Sequence, residues 1–358
     1  MQTKNSKLDF SGQDIYIGID VHLRSWSVTI LSKELEHKTY TMTPGAKGLS
    51  NYLHKYFPGG KYLCVYEAGF SGFWIQRELT REGIDCIIVN AADVPTRDKD
   101  RKSKTDTIDS RKLAQSLRSK QIKGIYLPTE LDVDSRTLLR TRRLFVQNQT
   151  RTKNRIKGLL YYNGIHINAE KIQQYWSAGY MKQIETLDNL NASTKQSILL
   201  LLDDLKHTQA TIKNLDHKIK ILSQSARYRQ QAELLTTVPG LGVLTTMIIL
   251  TEIIDINRFS KYDDLCSFAG LMPTEHSSGP SIIKGNLTPR RNKMLRHVIV
   301  ESAWVAVRKD PALLQAYTGF LQKGIKKQKA IIKIARKLLC RIAHVLKNNE
   351  PYSLAVVS

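Results

Sequence analysis

The sequence is poor in cysteine and has no long apolar segment. Its four cysteines form no CxxC pair and lie in apolar runs: Cys64, Cys86, Cys266 and Cys340. We expect them to be small buried hydrophobes in a reducing compartment, which argues against a zinc site or a disulfide framework. The longest apolar runs, such as TTMIILT, are too short to span a bilayer, and the polar N-terminus lacks a signal-peptide core. The sequence therefore predicts a cytoplasmic protein with no membrane attachment.

Acidic residues are also scarce, with 32 Asp and Glu against 55 Lys and Arg and a net charge of +23. The basic excess is concentrated in two blocks. Residues 95–160 hold 18 basic against 7 acidic side chains, and residues 284–347 hold 16 against 2. Two basic blocks on an otherwise nearly neutral chain indicate a polyanionic partner, because solubility alone requires far less charge. A solvated basic surface is the alternative interpretation.

The first third of the chain has the pattern of a mixed α/β domain. DIYIGID, KYLCVYEAG and IDCIIVN read as buried strands, and SWSVTILS and HKTYTMT alternate as strands do. The segments GAKGLSNYLHKYF and FWIQRELTREG, which lie between the later strands, have a helical pattern. Strands that alternate with helices after an initial meander predict a mixed sheet over residues 11–127.

The rest of the chain has a helical pattern in two parts. Residues 128–230 are expected to form long helices, with an Ile and Leu heptad seam between residues 198 and 222. This seam fits a parallel coiled coil between protomers, and it fits equally an antiparallel pairing with the preceding helix. Residues 231–350 are expected to form an all-α domain.

Four carboxylates occupy the ends of predicted elements. Asp20 ends the first strand and Glu67 ends the second buried strand, so parallel pairing would bring both to one edge of the sheet, where ligands bind in open α/β sheets. Asp106 and Asp109 are three residues apart on one face of a helix. Oxygen ligands of this kind suit Mg²⁺ or Mn²⁺, which assist attack at a phosphodiester. Each acid alone also has a structural interpretation, such as a turn or helix cap.

Two loops carry weaker signals. VPGLG resembles a helix-hairpin-helix turn whose Gly240 and Gly242 would let backbone N–H groups approach a phosphate, although an ordinary helix corner fits equally well. In HSSGPSIIKGNLT, Ser277 or Ser278 stands beside a basic helical region and has the chemistry of a nucleophile. From spacing alone, a polar turn is the better interpretation of this second loop.

These segments together resemble the DEDD-type insertion-sequence transposases, which are serine recombinases guided by a bridge RNA. The matching pieces run nearly end to end in the same order: YIGIDVH, YEAGFSG, KTDTIDSRKLA, VPGLG, FAGLMPTEHSSG and KGNLTPRRNKMLR. Residues 165–192 match poorly. The resemblance implies a RuvC-like N-terminal domain with an RNase H-type fold, whose metal-binding acids fall on Asp20, Glu67, Asp106 and Asp109.

The resemblance also implies the chemistry of the C-terminal domain. The nucleophilic serine of the family aligns with Ser278 rather than Ser277 and forms a covalent phosphoserine with DNA. The acidic site beside it would come from another protomer, so we expect a homodimer or homotetramer. A non-coding guide RNA that pairs with donor and target DNA is a further implication.

We therefore predict an enzyme that recombines an insertion element. The residues expected to contact nucleic acid are Arg101, Lys102, Lys104, Arg111, Lys112, Arg140, Arg143, Gly240, Gly242, Lys284, Arg290, Arg291 and Arg296. Two alternatives stay open: a RuvC-like nuclease that cuts junctions with metal-activated water, and a non-catalytic nucleic-acid-binding protein.

Overall fold

The computed structural model describes residues 9–95, 105–166, 176–278 and 281–354, and it gives residues 275–278 and 281–284 by their backbone only. The chain divides into two compact units, Met1–Pro128 and Thr129–Ser358. The three-part division expected from the sequence remains a prediction.

The first unit contains a five-stranded mixed sheet in the order β3-β2-β1-β4-β5. Its strands are β1 (Asp14–Val21), β2 (Trp26–Leu31), β3 (Glu36–Met42), β4 (Lys61–Glu67) and β5 (Asp85–Val89). The first three form an antiparallel meander, and β4 and β5 run parallel to β1. The helices are α1 (Ala46–Tyr56), α2 (Trp74–Arg81) and α3 (Asp106–Arg118), with a 3₁₀ turn at Ala91–Asp93. The predicted mixed α/β domain is confirmed.

Side chains on β1 alternate between the two faces of the sheet. Ile17 is buried in the core that the sheet shares with α1 and α2, whereas Tyr16 lies in a cluster with Ala114 of α3. Gly18 and Asp20 have the same parity as Tyr16. They therefore face α3.

The same alternation holds on β4, the parallel neighbour of β1. Tyr66 belongs to the core of α1 and α2, whereas Val65 is buried with Leu113 of α3. Glu67 has the parity of Val65, so it also belongs to the α3 face. The acids at the ends of the two strands thus stand on the same side of the sheet.

The second unit is mainly helical. Its elements are α4 (Glu130–Tyr162), α5 (Ala178–Glu185), α6 (Ala192–Ser223), α7 (Arg229–Thr236), α8 (Val243–Ile253), a 3₁₀ turn (Ile256–Arg258), α9 (Tyr262–Ala269), β6 (Pro273–Ser278), β7 (Ser281–Leu287), α10 (Lys293–Lys309), α11 (Pro311–Gln322) and α12 (Lys327–Asn348). Helix α8 is buried along most of its length, and α7, α9, α10 and α12 contribute to the same core.

The long helices α4 and α6 pack antiparallel within the chain. Thr152 of α4 donates a hydrogen bond to Asp204 at 2.9 Å, and Arg142, earlier in α4, pairs with Asp216, later in α6. One row of the predicted heptad seam is buried in this arrangement, namely Ile198, Leu205, Ile212 and Ile219, whereas Leu201, Leu215 and Leu222 of the interleaved row are half-buried. The structure thus has the antiparallel alternative, and a coiled coil between protomers is not confirmed.

Two expectations need correction. The C-terminal region is not all-α, because β6 and β7 form an antiparallel hairpin where the sequence suggested a loop. The polar, Gly- and Pro-containing sequence of this segment masked its strand character. In addition, Cys340 is exposed, whereas the other three cysteines are buried as expected.

Within the described residues, none of the helices combines the length and the apolar character needed to cross a lipid bilayer.

Candidate functional site

The site begins at the carboxyl ends of β1 and β4. The last paired residues of these parallel strands are Ile19 and Tyr66, and the next residue on each strand is acidic, Asp20 and Glu67. Because both acids belong to the α3 face, the geometry of the strand ends agrees with the sequence prediction.

Helix α3 lies very close to β1, and Gly18 permits this approach. A Cβ atom at Gly18 would stand 2.1 Å from the carbonyl oxygen of Ser110 and 2.5 Å from the backbone nitrogen of Ala114. The hydroxyl of Ser110 is buried and hydrogen-bonded to Thr29 Oγ1 at 2.9 Å and to Ser27 Oγ at 3.3 Å. These hydroxyl contacts fix the helix to β2, in addition to its close approach to β1 at Gly18.

The docking of α3 brings its first turn to the end of β1. Thr105 caps the helix by accepting a hydrogen bond from the backbone N–H of Ile108, and Asp106 is the first helical residue. Asp106 Oδ2 lies 3.3 Å from Nε2 of His22, and the same nitrogen lies 3.2 Å from Asp20 Oδ2. Each of the three side chains offers one ligand atom to a group in which all atoms lie within 4.8 Å of one another.

Asp109 stands near this group but outside it. Its carboxylate accepts a hydrogen bond from Lys112 Nζ at 3.2 Å. Burial raises the pKa of Asp20, and repulsion by Asp106 and Asp109 raises it further, whereas His22 lowers it. The negative charges of Asp106 and Asp109 therefore act on the carboxyl group of Asp20 and favour its protonated form.

Glu67 also lies outside the group of mutually close ligand atoms formed by described residues. The structure thus brings Asp20 and Asp106 together, with Asp109 close by, and leaves Glu67 at the adjacent strand end. Two carboxylates and an imidazole are a donor set that suits a divalent cation, so the residues fit the metal that a DEDD site implies.

His22 is the residue of this site that sequence reasoning did not single out. It stands two positions after Asp20 in YIGIDVH, in the turn between β1 and β2. The backbone N–H of His22 donates a hydrogen bond to the carbonyl oxygen of Ser25 at 3.0 Å. The available signal was the position of a histidine beside a strand-end acid.

Several basic residues predicted to bind nucleic acid take part in contacts within the protein. Arg111 pairs with Glu36 at 2.7 Å. Arg140 donates two hydrogen bonds, at 2.9 and 3.0 Å, to the carboxylate of Glu252. These contacts use part of the donor capacity of each guanidinium, and their assignment to nucleic acid remains a prediction.

The other basic residues predicted to contact nucleic acid differ in their exposure, and the structure does not describe all of their side chains. Arg143 is half-buried on α4. Near the start of α10, Arg290 and Arg291 are exposed, and both burial and the charge of Arg291 lower the pKa of Arg296. Outside the described residues or side chains lie Arg101, Lys102, Lys104 and Lys284.

The two glycines of VPGLG have different surroundings. Gly240 has φ +88°, and a Cβ atom there would stand 2.5 Å from the carbonyl oxygen of Ser302 in α10. This glycine serves a left-handed turn and close helix packing, as the helix-corner interpretation requires. Gly242 is exposed before α8 with open space around it. Phosphate contact at either glycine remains a prediction.

The predicted nucleophile lies at the tip of the β6–β7 hairpin. Ser278 is the last residue of β6 and pairs with Ser281 in backbone register. The side chains of Ser277 and Ser278 lie outside the described residues. At the base of the hairpin, the N–H of Thr288 donates to the carbonyl oxygen of Met272 at 3.0 Å.

Comparison with known families finds two matches, in chain order. Residues 17–162 match a family model for DEDD transposases of the IS110 type. Residues 232–318 match a second model, described as the transposase IS116/IS110/IS902 family. The first match contains the acidic site and helix α4, and the second contains VPGLG and the hairpin.

Curated relatives agree with these matches. The Sinorhizobium fredii protein y4rJ, which is named as a transposase, is 25% identical over 360 residues, 91% of this chain and 90% of the relative. The transposase for insertion sequence element IS1533 of Leptospira borgpetersenii is 26% identical over 310 residues, 81% of this chain and 84% of the relative. The pilin gene-inverting protein of Moraxella bovis is 33% identical over 153 residues, 42% of this chain and 48% of the relative.

Both models concern one family, and the similarity to insertion-element transposases extends over most of the chain. The protein belongs to the IS110/IS116 family of transposases.

Proposed function

We propose that this transposase cuts and rejoins DNA at the ends of an insertion element by serine attack beside a divalent-cation site. The observation that carries the proposal is the convergence of Asp20 and Asp106, which come from separate elements and share contact with one imidazole nitrogen. Two ionised carboxylates placed this close repel each other, and a cation bound between them would offset that repulsion.

The proposed site holds Mg²⁺ or Mn²⁺, which bind well to oxygen ligands. Its ligands are the four carboxylates of Asp20, Glu67, Asp106 and Asp109. The cation would neutralise charge on the scissile phosphate and on the leaving oxygen. The chain itself orients the carboxylates, through the buried contacts of Ser110 and the close approach at Gly18.

Ser278 is the proposed nucleophile. Its hydroxyl loses a proton and forms a P–O bond, while one P–O bond of the DNA backbone breaks and leaves a deoxyribose hydroxyl. The resulting phosphoserine conserves the phosphodiester energy, so the strand is rejoined without an external energy source. Support comes from the family matches, from the Ser-Gly motif and from the position of Ser278 at a hairpin tip.

Partners of three kinds complete the proposal. Donor and target DNA are the substrates, and a non-coding RNA selects them by base pairing. A homodimer or homotetramer in the cytoplasm would join an acidic site to the hairpin of another protomer. The charge of +23 supports a nucleic-acid partner. The Moraxella relative, whose name gives it as a gene-inverting protein, supports DNA rearrangement.

The test of serine chemistry is a trapping experiment. Purified protein is incubated with DNA carrying the element ends and with RNA transcribed from the same element, and adducts are separated under denaturing conditions. We expect a covalent protein–DNA adduct with the wild-type protein and with Ser277→Ala, and none with Ser278→Ala. Cleavage retained by Ser278→Ala would refute the serine mechanism and favour a metal-dependent nuclease.

The test of RNA guidance is sequencing of the RNA that co-purifies with the protein. The proposal predicts one enriched non-coding RNA, and replacing its pairing segment should redirect recombination. Enrichment of bulk cellular RNA alone would contradict guidance while leaving serine chemistry intact.

A further inference from the structure

His22 occupies a position that the DEDD acids do not account for. Its Nε2 atom lies almost equally far from Asp20 Oδ2 and Asp106 Oδ2, at 3.2 and 3.3 Å. The residue is held at its backbone by the hydrogen bond to Ser25 in a tight connection between two buried strands. The imidazole therefore reaches both acids from the connection between β1 and β2, whose backbone this hydrogen bond closes.

These distances are those of neighbouring ligands around one cation. Bonds of about 2.1 Å at angles of roughly 90–109° place adjacent donor atoms about 3.0–3.4 Å apart. The two nitrogen–oxygen distances at His22 fall within this interval. A cation at this point could take one atom from each of the three side chains, because the candidate ligand atoms all lie within 4.8 Å of one another.

The exposure of the three side chains increases from the end of strand β1 toward the start of helix α3. The side chain of Asp20 is 25% exposed, that of His22 46% and that of Asp106 62%. The cluster is closed at the strand end and open at the helix end. A phosphate oxygen could reach a cation bound by these side chains from the more exposed side of the cluster, where Asp106 lies.

We propose that His22 is a nitrogen ligand of the catalytic cation and determines which metal the site prefers. This inference rests on the proposed function, since it assumes a divalent cation between Asp20 and Asp106. An imidazole ligand raises affinity for Co²⁺ and Zn²⁺ strongly, and for Mn²⁺ to a smaller extent, relative to Mg²⁺, which is confined to oxygen ligands. The site is thus a mixed nitrogen and oxygen site rather than a purely carboxylate one.

The competing role for His22 is a hydrogen-bonding clamp that keeps the two acids together in the absence of metal. The two roles predict opposite results. Removing a ligand weakens metal binding, whereas removing a clamp that occupies the cation position strengthens it or leaves it unchanged.

The experiment is metal titration of the full-length protein by calorimetry, with Mn²⁺ and Mg²⁺ as separate probes. The variants are His22→Ala and the milder His22→Asn, with His54→Ala as the matched control. His54 is an exposed histidine of the same unit, on α1, where it contacts Ser50. Circular dichroism melting confirms that each variant is folded.

We expect His22→Ala to weaken Mn²⁺ binding by about tenfold or more, a loss at least as large as that for outer-shell partners of metal ligands. Mg²⁺ binding should fall by less, and His54→Ala should change neither. Visible absorption of bound Co²⁺ gives a readout independent of activity, because its ligand-field bands shift when a nitrogen ligand is lost.

Two failures are distinguishable. If the wild-type protein binds neither Mn²⁺ nor Mg²⁺, and Asp20→Ala changes nothing, the metal site of the proposed function is wrong. If the wild-type protein binds Mn²⁺ but His22→Ala binds it equally well or more tightly, with an unchanged Co²⁺ spectrum, only the role of His22 is overturned.

Discussion

The carbonyl oxygen of Ser110 lies directly over Gly18, so close that a Cβ atom at Gly18 would stand 2.1 Å from it. The separation of helix α3 and strand β1 therefore depends on the absence of a side chain. Because α3 carries Asp106 and β1 carries Asp20, this contact limits how closely the two acids can approach each other.

Substitution Gly18→Ala is predicted to displace α3 and separate the acids. Overpacking of this kind costs about 1–3 kcal/mol of unfolding free energy. We expect a lower denaturation midpoint together with weaker Mn²⁺ binding, measured by chemical denaturation and calorimetry. Gly48→Ala is the matched control, since its added Cβ would meet only the Met42 side chain at 3.5 Å, within helix α1. Equal effects of the two substitutions would contradict this account.

Glu252 provides a second test, in the C-terminal unit. It is almost fully buried, accepts two hydrogen bonds from Arg140, and accepts a third at 2.6 Å from Asn292, the N-cap of α10. Glu252→Gln leaves the arginine without its counter-charge, and we expect a loss of about 3 kcal/mol in unfolding free energy. Glu233→Gln, in an exposed pair with Arg229, should cost less than about 1 kcal/mol.

The same residue predicts a pH dependence. Burial favours the neutral acid, but hydrogen bonds and charge from Arg140 outweigh it and lower the pKa of Glu252 below its usual 4.5. A depressed pKa in the folded state stabilises the protein above pH 4.5 and loses that effect as the pH falls through the folded value. Wild-type stability should therefore fall more steeply than that of Glu252→Gln below about pH 4.5. Parallel acid-denaturation curves would contradict this prediction.

Arg296 tests the basic surface at the start of α10. Burial and the charge of Arg291 both lower its pKa, so two cations are held together at the cost of repulsion, which a bound phosphate would relieve. Arg296→Ala should weaken DNA and RNA binding and reduce the slope of log affinity against log salt by about one. Lys195→Ala is the control, because Lys195 pairs with Asp188 at 3.1 Å in the region between the two basic blocks. An unchanged salt slope for Arg296→Ala would remove this residue from the interface.

Sequence patterns predicted most of the first unit because its strands alternate regularly. The positions of Asp20 and Glu67 at the ends of two strands expected to run parallel were enough to place both acids at one edge of the sheet. It was not enough to predict which carboxylates meet, since that depends on the depth at which α3 docks on Gly18. The sequence did not single out His22 for the same reason. Its contact with Asp106 depends on where α3 docks, and α3 lies far along the chain.

The second unit was harder to predict from local patterns. The heptad residues from Ile198 to Ile219 identified the buried face of α6, but they do not encode which helix covers it. The hairpin of β6 and β7 lacks the apolar alternation of a core strand, so its composition suggested a loop. VPGLG left phosphate contact and a helix corner equally open, and the close packing of Gly240 on Ser302 could not be foreseen because it depends on the position of α10.

The most direct test of the central claim is cleavage of element-end DNA by Asp20→Asn and Asp106→Asn, with Mg²⁺ or Mn²⁺ present and with DNA binding measured in parallel. Each substitution keeps the shape of the side chain and removes its charge. The account predicts that each lowers the cleavage rate by about two orders of magnitude or more, the scale lost with one electrostatic stabiliser, while DNA affinity and folding stay unchanged. Cleavage at the wild-type rate by Asp106→Asn would contradict it.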